Sequence, residues 1–113
     1  MNDVIRHLDE VIDARRKSAD AGSSYVARLS QAGMDQILKK VAEECGETLV
    51  AAKNAQHGGE CGHLVRETAD LWFHCLVMLA QAGCSGSDVL NELGRRFETS
   101  GIAEKAARRP SNG

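Results

Sequence analysis

The chain has 113 residues, a formal net charge of −2 and only 4% aromatic residues. That length supports one small domain with a modest core, and the near-neutral charge gives no case for nucleic acid or an anionic membrane as a partner. The single proline, Pro110, and an Ala/Leu/Glu-rich interior without strand-like alternation point to an all-α fold.

The first predicted helix runs from about Asp3 to Ala19, with Val4, Ile5, Leu8, Val11 and Ile12 on one face. Ala21-Gly22-Ser23-Ser24 breaks it, and a short helical piece, Tyr25 to Gln31, follows before Gly33. A long helix is expected from Asp35 to Asn54, burying Ile37, Leu38, Val41, Cys45, Leu49 and Ala52. After the turn His57-Gly58-Gly59-Glu60-Cys61-Gly62 comes a third main helix, Cys61 to Ala82, closed by Gly83. Its expected core stripe is Leu64, Thr68, Leu71, Trp72, Cys75 and Leu79, flanked by His63, Glu67, Asp70 and His74. Ser85 and Asp88 match an N-cap with an acidic N3 residue, opening a last helix that runs to Phe97.

The expected architecture is therefore a bundle of four main helices with an antiparallel central hairpin. Residues 1–107 form the single domain, and 108–113 a disordered tail. The stretch Leu71 to Ala80 is apolar nearly all round, about half the ~20 residues a membrane span needs. Such a helix must be covered on every side, and a chain of this size has few elements to cover it, so a homodimer is expected. The acidic N-terminus does not resemble a signal peptide. Cys45, Cys61, Cys75 and Cys84 lack CxxC spacing, and Cys45 and Cys75 fall on faces read as apolar. A reduced, cytoplasmic protein is expected.

Four carboxylates carry the chemistry. Glu44 and Glu47 are one helical turn apart, as are Glu67 and Asp70, so each pair projects from one side of its helix. Both couples, Glu44 with Asp70 and Glu47 with Glu67, are centred on residue 57. An antiparallel hairpin turning there brings them level. Four negative charges at one height repel strongly in a partly dry site, and an oxygen-only cage suits a hard divalent cation. The plain alternative is a solvated acidic flank, although such faces more often interleave opposite charges. Spacing alone leaves both open.

Lys39 and Lys40 stand one turn earlier. Lys40 shares the acidic flank and could pair with Glu44 or contact a phosphate. His74, one turn beyond Asp70, reads at least as readily as a partly buried histidine bonded to a carboxylate as it does as a catalytic residue. A neighbouring anion favours its protonated form, which argues against a general base. His57, Cys61 and His63 fit no usual zinc spacing. Neither a GxxxxGK[ST] loop nor a GxGxxG turn is present, so nucleotide phosphates would have to be held by metal and basic side chains.

The run Lys39-Lys40-Val41-Ala42-Glu43-Glu44-Cys45-Gly46-Glu47, followed by Glu67-Thr68-Ala69-Asp70-Leu71, resembles the ExxE…ExxD signature of the MazG-type all-α nucleoside triphosphate pyrophosphohydrolases. Ser24-Tyr25-Val26-Ala27-Arg28-Leu29, Ala69-Asp70-Leu71-Trp72-Phe73-His74 and Ser100-Gly101-Ile102-Ala103-Glu104-Lys105 narrow the resemblance to the phosphoribosyl-ATP pyrophosphohydrolase family. It covers the chain from about Val4 to Lys105. The family often has glycine where this chain has Ala42, and the His57–His63 turn is idiosyncratic. Many relatives carry a fused phosphoribosyl-AMP cyclohydrolase domain; this chain has no room for one, so a single-function form is expected.

The resemblance implies attack of water on phosphoribosyl-ATP between the α and β phosphates, giving phosphoribosyl-AMP and pyrophosphate, the second step of histidine biosynthesis. It implies Mg²⁺ held by Glu44, Glu47, Glu67 and Asp70, with the water's proton taken by one of these carboxylates or by Glu43. Lys40, Arg95 and Arg96 would contact phosphates, and Ser24 and Tyr25 would help close the site. The rival readings are a house-cleaning nucleotide pyrophosphohydrolase of the same fold, a di-iron carboxylate bundle, and a non-enzymatic helical interaction module. Only Glu60-Cys61-Gly62-His63 offers the Glu-x-x-His that a di-iron bundle requires.

Overall fold

The computed structural model describes residues 2–18, 20–22 and 24–98, except the side chain of Asn2. The tail, the Ser100–Lys105 stretch and Ala19 therefore lie outside the described residues. Those described are largely helical and include no strand. The helices are α1 (Asn2–Arg16), α2 (Tyr25–Ala32), α3 (Met34–Gln56), α4 (Cys61–Gln81) and α5 (86–98).

Local chemistry sets each boundary. Ser24, in extended backbone, caps α2 by accepting from the Ala27 N–H at 3.1 Å. Gly33, at φ 105°, ends α2 and starts α3, a backbone state that L side chains rarely adopt. Gly58 and Gly83 close α3 and α4 in the same manner. The Gly59 N–H reaches back to the Asn54 carbonyl at 2.7 Å, and the Cys84 N–H to the Leu79 carbonyl at 2.8 Å. Both are Schellman closures that satisfy the last helical carbonyls. The cap expected for the last helix is present. The Ser85 N–H donates to Asp88 Oδ2 at 3.0 Å and the Asp88 N–H to Ser85 Oγ at 3.2 Å.

Helices α3 and α4 form the antiparallel hairpin, tied across by the Thr48 hydroxyl, which contacts the Glu67 carbonyl at 3.3 Å. The core lies at one end of it, where Ile12 of α1, Val26 and Leu29 of α2, and Ile37 of α3 meet Leu76 and Val77 of α4. Asp9 of α1 then pins α5. Its carboxylate accepts from the Gly86 N–H at 2.7 Å, the Ser87 N–H at 3.0 Å and the Ser87 hydroxyl at 2.8 Å. A negative side chain at a helix N-terminus also opposes the helix dipole favourably.

The faces of the hairpin helices differ from the sequence expectation. On α3 the buried residues are Ile37, Glu44 and Ala51, whereas Leu38 and Cys45 are exposed and Leu49 is 69% exposed. On α4 they are His74, Leu76 and Val77, whereas Trp72 is 61% exposed. Glu44 is therefore interior rather than flanking. The physical reason is that both helices carry two apolar faces. This chain covers only the one that continues into the α1–α2 core; Leu38 and Leu49 of α3 and Val65 and Trp72 of α4 stay exposed, as do Val89 and Leu93 of α5.

Candidate metal centre

Among the described residues Glu44 is the acid most withdrawn from water, at 7% exposure. It shares the inward face of α3 with Ile37 and Ala51, while across the hairpin Glu67 and Asp70 come from the facing side of α4. One carboxylate oxygen each from Glu44, Glu67 and Asp70 lie within 4.8 Å of one another. Glu47 is not part of this three-oxygen set; it is exposed and sits beside Glu44.

The charge balance is unfavourable without a cation. Glu44 Oε2 is buried and has no hydrogen-bond partner. The Glu47 carboxylate, close enough to share a proton, pushes the Glu44 carboxyl up to about 7; burial and the charges of Glu47 and Asp70 add to the effect, and Lys40 opposes it. Two ionised carboxylates offer each other only lone pairs. A proton or a cation has to occupy the gap, and the all-oxygen donor set fits Mg²⁺. The orphaned oxygen is thus a place where a positive charge would find a partner.

Around this cluster, Lys40 Nζ lies 3.3 Å from Glu43 Oε1, and that bond holds the ammonium firmly protonated. His63 Nε2 approaches Glu67 Oε1 at 3.4 Å. Glu43, Gly46, Glu47, Val50, His63 and Glu67 line an open groove of about 730 Å³ beside the acids. His74 is buried behind them. Its Nδ1 is 3.9 Å from Glu44 Oε1 and donates to the Asp70 carbonyl at 2.8 Å, a backbone partner rather than the carboxylate expected.

The other sequence-derived candidates divide. The Tyr25 hydroxyl is 2.7 Å from His74 Nε2, which connects α2 to the helix that carries Glu67 and Asp70. The Ser24 side chain is spent on capping. Arg95 and Arg96 are exposed and form their ion pairs with Glu92 on α5. Sequence reasoning gave His74 a carboxylate partner and missed its bond to Tyr25. The available signal was its phase, since it continues the Glu67–Asp70 row by one more turn toward the core.

The chain is a hydrolase acting on phosphoric anhydride bonds, and its described residues are largely helical. Residues 5–97 match the family model described as phosphoribosyl-ATP pyrophosphohydrolase, and the chain belongs to that family. No helix among the described residues is long and apolar enough to cross a membrane.

Proposed function

We propose that the chain hydrolyses phosphoribosyl-ATP to phosphoribosyl-AMP and pyrophosphate with Mg²⁺, as the second step of cytoplasmic histidine biosynthesis. The observation that carries this reading is the buried, unpartnered Glu44 oxygen within a three-carboxylate set, in a chain matched to the family across that set. Glu44, Glu67 and Asp70 would hold the ion. When bound, Mg²⁺ neutralises phosphate charge and activates water.

The remaining roles follow from position. Lys40, kept charged by Glu43, contacts a phosphate of the substrate. Glu43 is engaged by that lysine. Glu47, outside the three-oxygen set, beside Glu44 and bordering the groove, takes the proton of the attacking water. The water oxygen forms a bond to phosphorus as the anhydride bond between the α and β phosphates breaks, and pyrophosphate leaves. Ser24 serves through the α2 cap that presents Tyr25. Arg95 and Arg96 reach phosphate only by exchanging Glu92 for it.

The exposed apolar face of α3, α4 and α5 is covered by a second copy, as its Leu38, Leu49, Trp72 and Leu93 require. The test of function is pyrophosphate release from a panel of nucleotides, with and without Mg²⁺. A clear preference for phosphoribosyl-ATP is expected. Equal turnover of unrelated nucleoside triphosphates would instead support a house-cleaning enzyme.

A further inference from the structure

The ligating acids divide the hairpin into two unlike halves. Toward the turn, the groove of about 730 Å³ is lined by Glu43, Gly46, Glu47, Val50, His63 and Glu67, with no lysine or arginine. Toward the start of α3 lie two basic groups, Lys40 on α3 and Arg28 on α2. On α2, Val26, Ala27 and Leu29 face the core, whereas Tyr25 and Arg28, one turn apart, share the exposed side. The guanidinium carbon of Arg28 stands 5.8 Å from the centre of the Tyr25 ring. Two further contacts lead from that ring to the acids. The Tyr25 oxygen is 2.7 Å from His74 Nε2, and His74 Nδ1 is 3.9 Å from Glu44 Oε1. Arg28 thus overlooks the metal centre across one tyrosine and one histidine.

The charge around the centre calls for such a group. Glu43, Glu44, Glu47, Glu67 and Asp70 gather there, and against them stands Lys40, which shares its charge with Glu43 at 3.3 Å. A divalent ion leaves this set still negative, and a nucleotide polyphosphate adds several more negative charges. Repulsion on that scale keeps the phosphate chain away unless further cations meet it. Arg95 and Arg96 are held by Glu92. Arg28, by contrast, enters no ion pair among the described residues, and its polar contact there is a long one, 3.4 Å to the Ala21 carbonyl. Its planar fork of donors matches phosphate oxygens.

We propose that Arg28 binds the terminal phosphates of the nucleotide, the end that leaves as pyrophosphate, while the nucleoside lies in the groove toward the hairpin turn. The bond that breaks sits at the metal, so the two parts of the substrate extend from it in opposite directions. The half with Lys40 and Arg28 has the charge to receive phosphates, and the groove beside Gly46 and Val50 has the room for a sugar and base. Arg28 binds and orients the leaving group without touching the attacking water. The assignment rests on the nucleotide-hydrolase reading above, and turnover of phosphoribosyl-ATP by the wild-type protein is the separate control for that reading. Without such turnover both fall; with it, the variants bear on Arg28 alone.

The experiment compares the wild-type chain, Arg28→Gln and Arg28→Lys, following consumption of phosphoribosyl-ATP at one fixed concentration of free Mg²⁺. It measures KM and the inhibition constants of the two products, pyrophosphate and phosphoribosyl-AMP. Loss of a charge-assisted hydrogen bond predicts a rise of about 10- to 100-fold in KM and in the pyrophosphate constant for Arg28→Gln. The phosphoribosyl-AMP constant should stay within about 2-fold of wild type, because that product lies beyond the reach of Arg28. Arg28→Lys keeps the charge and loses the fork, so it should recover part of the loss. Arg28 is exposed, so both variants should melt near the wild-type temperature. A weakened phosphoribosyl-AMP constant with pyrophosphate unchanged would place Arg28 at the nucleoside end and overturn the proposal. Both constants unchanged would leave Arg28 a surface contact of Tyr25, and both weakened equally would indicate a disturbed site; either result also overturns it.

Discussion

Replacing Glu44 by glutamine isolates the cost of crowding the hairpin with like charge. In the metal-free protein the Glu44 carboxyl is pushed from 4.5 to about 7, first by Glu47, then by burial. Each unit corresponds to 1.36 kcal/mol, so holding the ionised form costs about 3 kcal/mol, which water around the exposed Glu47 and Asp70 reduces to about 2 kcal/mol. The sign follows from linkage. A carboxyl raised in the folded state leaves stability intact below its unfolded value of 4.5, and that stability is lost as pH rises through about 7. Glutamine carries no charge at any of these values. At pH 8 with EDTA, Glu44→Gln should therefore melt roughly 8–10 °C above wild type, and at pH 4.5 the two should coincide. Millimolar Mg²⁺ should stabilise the wild type at pH 8 by up to about 2.7 kcal/mol at a hundredfold excess over Kd and raise its melting temperature accordingly, with much less effect on the variant. Differential scanning fluorimetry at one fixed protein concentration across pH 4.5–8 reads all of this. Parallel wild-type and variant curves across that range would refute the reasoning.

Other variants separate the remaining roles. Asp70→Asn and Glu67→Gln should each lower kcat/KM by about 100-fold or more, with a raised Mg²⁺ requirement in the pyrophosphate-release assay. Glu47→Gln should lower kcat by about 100-fold while leaving the half-saturating Mg²⁺ nearly unchanged; a large shift in that value would make Glu47 a ligand instead. Light scattering should give twice the 12.2 kDa chain mass, and Trp72→Glu should reduce it to the monomer. Gly86→Ala should destabilise by about 1–3 kcal/mol, seen as a lower denaturation midpoint, because its Cβ would run into the Leu76 side chain and lie 2.8 Å from Ile5 Cγ2.

The sequence revealed elements and pairs more readily than faces. Gly33, Gly58 and Gly83 mark real helix ends, and three of the four acids mirrored about residue 57, Glu44, Glu67 and Asp70, do meet, whereas Glu47 stays outside the set. These features are local, set by single residues or by fixed spacing along a helix. The phase of α3 and α4 was harder to read. Ile37 is buried as expected, but Glu44 and Ala51 take the interior in place of Leu38, Cys45 and Leu49, which hydrophobicity alone favours. What decided against those three was contact with α1 and α2, which no periodicity within α3 records. The same contact put Glu44 inside, and with it His74, whose bonds to Tyr25 and the Asp70 carbonyl depend on a helix remote in sequence.

The Thr48 link and the Schellman turn at Gly58 also bear on the order of folding events. The three acids sit on two helices joined by a connection of only a few residues, so they come together as soon as the hairpin closes. Closing so short a loop is entropically cheap, and proteins rich in such near-neighbour contacts fold quickly. The repulsion among the acids therefore opposes an early step rather than a late one. A divalent cation present during refolding should act on the folding limb of the chevron, speeding refolding as well as slowing unfolding.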